Sequence, residues 1–243
     1  MNSYLMTDKG LARNSNQDDV LGVTKEDGDS LYVLCDGMGG HMGGATACKK
    51  CINIFKKEFN KSHYKNLEEA KKWLYDMILK ANQEIINASN KDVSLKGMGT
   101  TVVCFLISKE FKVYASVGDS RLYSYNKKQL IQISEDQTFA AALYKAGYIN
   151  KKEAKNHPRR SMLLCAVGSA PGETLDVQIK EVTGENNYLI CSDGLYNMVE
   201  DNDIKKILDE DISLKEKGDK LIDEANDNGG FDNISVILLE VNV

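Results

Sequence analysis

Thr101-Val-Val-Cys-Phe-Leu-Ile107 and Phe111-Lys-Val-Tyr-Ala-Ser-Val117 stand on either side of Ser108-Lys109-Glu110. The first run is unbroken and apolar, as in a strand buried on both faces. The second alternates and stops at Gly118-Asp119. Three polar residues are too few for a crossover, so the pair reads as a hairpin and its sheet as antiparallel. The same pattern spreads outward. Residues 31–35 form a short apolar run ending at Asp36-Gly37; 122–125 and 129–133 flank Asn126-Lys127-Lys128 as a second hairpin; 188–191 lead into Ser-Asp-Gly; 234–241 close the chain as a strand. Between and after them lie helical periods. Ala47, Cys51, Phe55 and Phe59 recur every four residues, and a second helix opens at Asn66 with Glu69 three later, in the manner of a capping box. Shorter helices are expected at 202–209 and 214–226, the latter capped by Ser213 with Glu216. Strands in the middle with helices before and after give an α+β sandwich. Residues 134–172 are polar, hold both prolines (Pro158 and Pro171) and show only short helical pieces near 138–146 and 151–156. They read as a flap inserted over one edge of the core, so that 1–243 forms a single domain.

Composition narrows the partners. The 243 residues carry a formal charge of −5, with 42% apolar and 28% charged side chains. That mix belongs to a globular chain with a sizeable core, and its acidic balance gives no general attraction to nucleic acid or anionic lipid. No stretch approaches the ~18 apolar residues of a membrane span. The N-terminus lacks the basic start and apolar run of a secretory signal. Cysteines at 35, 48, 51, 104, 165 and 191 are scattered, and without an export signal they read as free thiols of a cytoplasmic protein. The lone Cys48-x-x-Cys51 has neither a second pair nor a preceding thioredoxin-like strand, so it reads as core packing.

Four aspartates share one local context. Asp36, Asp119, Asp193 and Asp232 each stand at the end or start of an apolar strand. Any one of them alone reads as an Asp-containing turn. As a set they are carboxylates aimed by rigid strand ends, and converging carboxylates repel unless protonated or bridged by cations. Oxygen-only donors suit Mg²⁺ or Mn²⁺ rather than zinc. Residues 36–44, Asp-Gly-Met-Gly-Gly-His-Met-Gly-Gly, place five glycines in the eight positions after Asp36. A turn needs one or two; this many suits a backbone that closely approaches an ion or phosphate, with the Gly37 carbonyl as a further donor. Arg13 and Asp18 lie in Arg-Asn-Ser-Asn-Gln-Asp. A guanidinium fork matches phosphate oxygens, although Arg13 could equally be solvated or paired with Asp18.

Arg-x-x-Asn-Gln-Asp at 13–18, Asp-Gly-Met-Gly-Gly-His at 36–41, Gly-Met-Gly-Thr-Thr at 97–101, Val-Gly-Asp-Ser-Arg at 117–121, Cys-Ser-Asp-Gly-Leu at 191–195 and Gly-Gly-Phe-Asp-Asn-Ile at 229–234 occur in order. Together they resemble the metal-dependent protein serine/threonine phosphatases of type 2C, in their compact bacterial form. The resemblance spans nearly the whole chain. It implies a four-layer α-β-β-α sandwich with a metal centre in a cleft at one end. It implies two Mn²⁺ or Mg²⁺ ions bridged by Asp36, the first completed by Asp193 and Asp232, the second held in part by the Gly37 carbonyl. Asp18 would act through metal-bound water, and Asp119 would share a third, weaker ion with Asp193. Arg13 would bind the substrate phosphate and His41 would protonate the leaving alcohol. It further implies hydrolysis of phosphoserine and phosphothreonine by a metal-bridging hydroxide, on phosphorylated proteins, in opposition to a Ser/Thr protein kinase, by a cytoplasmic monomer.

This scheme needs no nucleophilic cysteine, and no Cys-x5-Arg loop occurs. Strand alternation points Cys35 and Cys191 away from the neighbouring aspartates. The chain departs from the family pattern at Gln137, where His is frequent, at Ser161 and Cys165 within the segment His157–Gly168, and at Ala45. Two other readings compete. A phosphatase-like module that binds phosphoprotein without turnover predicts a lost metal Asp, and none is lost. A metal-dependent nuclease predicts a basic, aromatic-studded stripe, which the sequence lacks.

Overall fold

The computed structural model describes residues 1–40, 42–168, 175–184 and 186–241. Two five-stranded antiparallel sheets lie face to face. One has the order β1-β12-β11-β8-β9 and the other β10-β7-β6-β3-β2. Their strands are β1 (Asn2–Asp8), β2 (Asp19–Thr24), β3 (Ser30–Cys35), β6 (Val102–Ile107), β7 (Lys112–Val117), β8 (Arg121–Tyr125), β9 (Leu130–Gln132), β10 (Gln178–Glu181), β11 (Asn187–Cys191) and β12 (Ile234–Glu240). A two-residue pair, β4 (Gly37–Met38) with β5 (Gly99–Thr100), sits at one end. Helices α1 (Gly43–Phe59) and α2 (Leu67–Lys91) cover one sheet; α5 (Asp193–Tyr196), α6 (Asp201–Asp209) and α7 (Leu214–Asp227) cover the other.

Period-two alternation sorts the side chains into three cores. From β3, Leu31, Val33 and Cys35 face α1 and α2, while Tyr32 and Leu34 face the opposite sheet. From β6, Val102, Cys104 and Leu106 go to the helices and Val103, Phe105 and Ile107 go between the sheets. From β11, Leu189 and Cys191 face α5–α7 and Tyr188 and Ile190 the inter-sheet core. Strands buried on both faces need apolar residues at every position, which is why they read as unbroken runs. The α-β-β-α layering and the antiparallel pairing follow, and Cys35 and Cys191 are packing residues as alternation predicts.

The differences from expectation are local. α1 begins at Gly43, four residues before the apolar period starts. Asn66 does cap α2, accepting from the Glu69 N–H at 2.9 Å, but the Glu69 carboxylate turns back to the Lys65 N–H. The full box forms at Ser213 and Glu216 of α7. β1, β2 and β10 carry no clean sequence pattern because all three sit at or next to sheet edges and expose one face. In the expected flap, α3 (Phe139–Lys145) and α4 (Lys151–Lys155) form, and Thr138 bridges Leu163 to close the segment on itself. Pro171 and the end of the flap lie outside the described residues.

Candidate metal centre

The sheet ends bring five aspartates together. Asp36 follows β3 directly. Its N–H donates to Thr101 Oγ1 at 3.1 Å, and its carbonyl accepts from the Thr101 N–H at 2.9 Å and the Thr100 hydroxyl at 3.0 Å. Thr101 Oγ1 also shares a 2.7 Å hydrogen bond with Ser120, the neighbour of Asp119. One buried hydroxyl thus couples the backbones that carry two of the carboxylates. Asp18 Oδ2 accepts from Ser235 Oγ at 2.7 Å, and Asn233 clamps the 9–17 segment by donating to the Lys9 and Ser15 carbonyls and accepting from the Gln17 N–H.

Asp193 is not a strand-end turn residue: it is the first residue of the short helix α5, two positions beyond β11. Gly194 follows because a Cβ there would lie 2.0 Å from the Asn233 carbonyl oxygen. Asp193 Oδ2 accepts from Asn197 one turn on, at 3.0 Å. Asp119 is held through its carbonyl, which accepts from the Tyr196 hydroxyl at 3.0 Å. The Arg121 guanidinium stacks 3.4 Å from the Tyr196 ring and forks onto Asp136 at 2.9 and 2.7 Å, so Tyr196 is itself fixed.

Two glycines of the loop, Gly37 and Gly44, are packing devices. A Cβ on Gly37 would meet the Gly44 backbone and the Gln17 carbonyl at 2.5–2.6 Å, and one on Gly44 would meet Gly37 and Gln17 at the same range. The first turn of α1 therefore lies directly on the residue after Asp36. That contact explains both the early start of α1 and the second Gly-Gly pair. Arg13 stands at the rim, exposed, with Nη2 2.7 Å from Asp232 Oδ2 and Nε donating to the Phe231 carbonyl. It pairs with Asp232 and not with Asp18. His41 lies outside the described residues.

Electrostatically the five groups form one unit. Burial first, then repulsion from Asp18, Asp193 and Asp119, pushes the Asp36 carboxyl far above the usual range. Burial also raises Asp18, Asp119 and Asp193, with Asp193 and Asp232 adding repulsion at Asp18 and Asp193 adding it at Asp119. Asp18 Oδ1 is buried with no hydrogen-bond partner among the described residues. Carboxylates gathered at this cost, one with an orphaned oxygen, are a donor set that fits hard divalent cations. As the side chains stand, no three acidic, His or Cys groups among the described residues close on a single ion position. Asp232 is drawn to Arg13 instead.

Sequence reasoning passed over the residues that aim these carboxylates: Thr101, Ser120, Ser235, Asn233 and Tyr196. Three of them, Thr101, Ser120 and Asn233, lie inside the quoted motifs, and Ser120 and Asn233 directly follow an Asp; Tyr196 and Ser235 lie one residue beyond a motif. Gln137 also has a definite place. Its Oε1 accepts from the Gly118 N–H at 2.6 Å and its Nε2 donates to the Asp176 carbonyl at 2.7 Å, tying the Asp119 loop to the segment that follows the flap.

A family model described as protein phosphatase 2C matches residues 10–230. The chain belongs to the protein phosphatase 2C family. The serine/threonine phosphatase stp of Listeria welshimeri is 35% identical over all of this chain and 97% of its own length. The protein phosphatase PhpP of Streptococcus pneumoniae is 31% identical over all of this chain and 98% of its own. The crystal structure of the serine/threonine phosphatase Stp1 from Staphylococcus aureus superposes with a TM-score of 0.92 at 34% identity, covering 99% of this chain and 95% of that one. The two-sheet sandwich is thus the fold of this family, and the carboxylate cluster lies on the motifs by which the sequence resembles it.

Proposed function

We propose that this protein is a divalent-metal-dependent phosphatase that hydrolyses phosphoserine and phosphothreonine in proteins. The observation that carries the reading is the convergence of Asp18, Asp36, Asp119, Asp193 and Asp232 from five separate stretches of chain into one mutually repelling cluster. Family membership supplies the reaction class. The family generally requires a divalent metal, and the oxygen-only cluster supports Mn²⁺ or Mg²⁺ here. Asp36, Asp193 and Asp232, with the Gly37 carbonyl, would hold two ions; Asp119 would take part in a third position and Asp18 would act from behind through water. Bound there, such ions supply neutralisation of the phosphoryl oxygens and a strong lowering of the pKa of water.

The remaining work falls to the chain itself. A loose phosphoryl transition state needs positioning and charge more than covalent help. Arg13 offers a guanidinium fork at the exposed rim, beside Asp232, where a phosphate dianion would compete with that carboxylate for its N–H groups. The backbone N–H and carbonyl of Asp36 are held by Thr101 and Thr100, which fixes the point from which its carboxylate projects. Serine and threonine alkoxides are poor leaving groups, and His41, which follows β4 in sequence, is the proposed proton donor. The reading as a phosphoprotein-binding module is not favoured, because every aspartate the chemistry needs is retained. Phosphorylated proteins as substrates imply an opposing Ser/Thr protein kinase, and we place the protein in the cytoplasm as a monomer. Among the described residues no helix is long and apolar enough to cross a membrane.

The test is hydrolysis of an aryl phosphate with and without Mn²⁺, and its abolition by Asp36→Ala or Asp193→Ala. Undiminished turnover in either variant overturns the assignment.

A further inference from the structure

The flap carries a charge pattern that the phosphatase chemistry does not use and that folding uses only in part. Between 139 and 160 the basic residues are Lys145, Lys151, Lys152, Lys155, Arg159 and Arg160, and the only acidic one is Glu153, in a chain whose formal charge is −5. Glu153 is spent locally: its carboxylate accepts from the Asn150 N–H at 2.7 Å in the capping box of α4. Lys145 is paired with Glu135 and Lys155 with Glu200. Lys151, Lys152 and Arg160 are exposed and have no ion-pair partner among the described residues, and the Arg159 guanidinium lies 5.7 Å from the Phe139 ring. Lys151 and Lys152 are the first two residues of α4. Tyr148, 79% exposed, and Tyr144, 49% exposed, stand on the chain just before them. Exposed tyrosine and arginine are residue types enriched in binding faces, and the lysines add positive charge to them.

The fold sets this face beside the carboxylate cluster. Gln137, two residues before α3, is bonded to Gly118 through both backbone and side chain, and Gly118 precedes Asp119. The chain returns with Val167 bridged to Thr100, whose hydroxyl binds the Asp36 carbonyl. Lys155 reaches Glu200, the N-cap of α6, four residues beyond Tyr196. The segment that carries the cationic face is thus anchored at both ends to the strands that hold Asp119 and Asp36.

We infer that α4 and the 157–160 turn form a docking surface for a carboxylate-rich segment of the phosphoprotein substrate, flanking the phosphorylated residue; this rests on the phosphatase reading above. The occupant is fixed by charge complementarity. With Lys151 and Lys152 beside Arg159 and Arg160, the face presents two point charges and two guanidinium forks suited to several Asp or Glu side chains, and its partner carries the charge that the adjacent cluster would repel, so the substrate is oriented as well as held.

The test uses the full chain with Mn²⁺ and three substrates: para-nitrophenyl phosphate, a phosphothreonine peptide flanked by aspartates, and the same peptide with serines in their place. Wild type is expected to prefer the acidic peptide by about tenfold in kcat/KM, carried by KM and lost at high salt. Lys151→Glu with Lys152→Glu removes the preference and leaves the serine-flanked peptide and the aryl phosphate within about twofold; Lys151→Gln with Lys152→Gln removes part of it. Fluorescence anisotropy of the labelled acidic peptide in EDTA reads the same loss as weaker binding, independent of turnover. Absence of a preference in wild type, equal loss on both peptides, or binding to phosphatidylglycerol vesicles without peptide preference overturns the docking surface. Acidic-peptide binding that depends on the two lysines, with no ester hydrolysed, removes the phosphatase reading and leaves the docking surface standing.

Discussion

Replacing Asp18 by asparagine removes one charge and almost no volume. Asp18 is 9% exposed, and burial raises its carboxyl from 3.8 to about 7 in the absence of metal. The folded chain therefore retains a proton that the unfolded chain has released. Stability is lost as pH rises from about 4, and the loss is complete above about pH 7. A difference of about three pKa units corresponds to roughly 4 kcal/mol at pH 8, and this is a ceiling because Asp193 and Asp232 share the repulsion. Asparagine keeps an acceptor for the Ser235 hydroxyl, now at 2.7 Å from Oδ2, and its amide turns a donor toward the neighbouring carboxylates. The expected result in EDTA at pH 8 is a variant about 1–3 kcal/mol more stable than wild type, or roughly 3–10 °C in Tm for a chain of this size. The gain should shrink toward pH 4. In excess Mn²⁺ the order should narrow or invert, since wild type gains more from the ion. Thermal unfolding followed by circular dichroism checks both halves. A variant less stable than wild type in EDTA at pH 8, or equal Mn²⁺ stabilisation of the two proteins, refutes the picture of a repulsive, cation-seeking cluster.

Thr101→Val keeps the side-chain shape but deprives the Asp36 N–H and Ser120 of their partner; urea unfolding should show a loss of about 1–3 kcal/mol, with aryl phosphatase activity falling at the same time. Gly194→Ala forces a Cβ to within 2.0 Å of the Asn233 carbonyl, so α5 must move; roughly 3 kcal/mol or more of destabilisation is expected, read by the same unfolding curve. Arg13→Ala should raise KM for phosphate esters while Mn²⁺ affinity, measured by calorimetry, is kept or improved as Asp232 is freed from its 2.7 Å pair; weakened Mn²⁺ binding contradicts that role.

Sequence alone settled what depends on local chemistry and on periodicity. Strands buried on both faces leave long apolar runs, so β3, β6, β11 and β12 were legible, and amphipathic α2 and α7 were legible from spacing and caps. The aspartates were legible because their motifs recur in a fixed order. Tertiary structure decided what depends on contact between distant segments. Edge strands β1 and β10 bury one face at most, so their residues are under weaker constraint and carry no pattern. The start of α1 is set by Gly44 lying on Gly37, and Asp193 heads a helix because Gly194 permits Asn233 to approach. Arg13 meets Asp232 across the whole length of the chain, and Gln137, a departure by sequence, is a tie between two loops. Periodicity records which face of an element is dry; it does not record which element lies against that face. Those choices were made by close packing, in which a missing Cβ or a single hydroxyl matters only once its neighbour is in place.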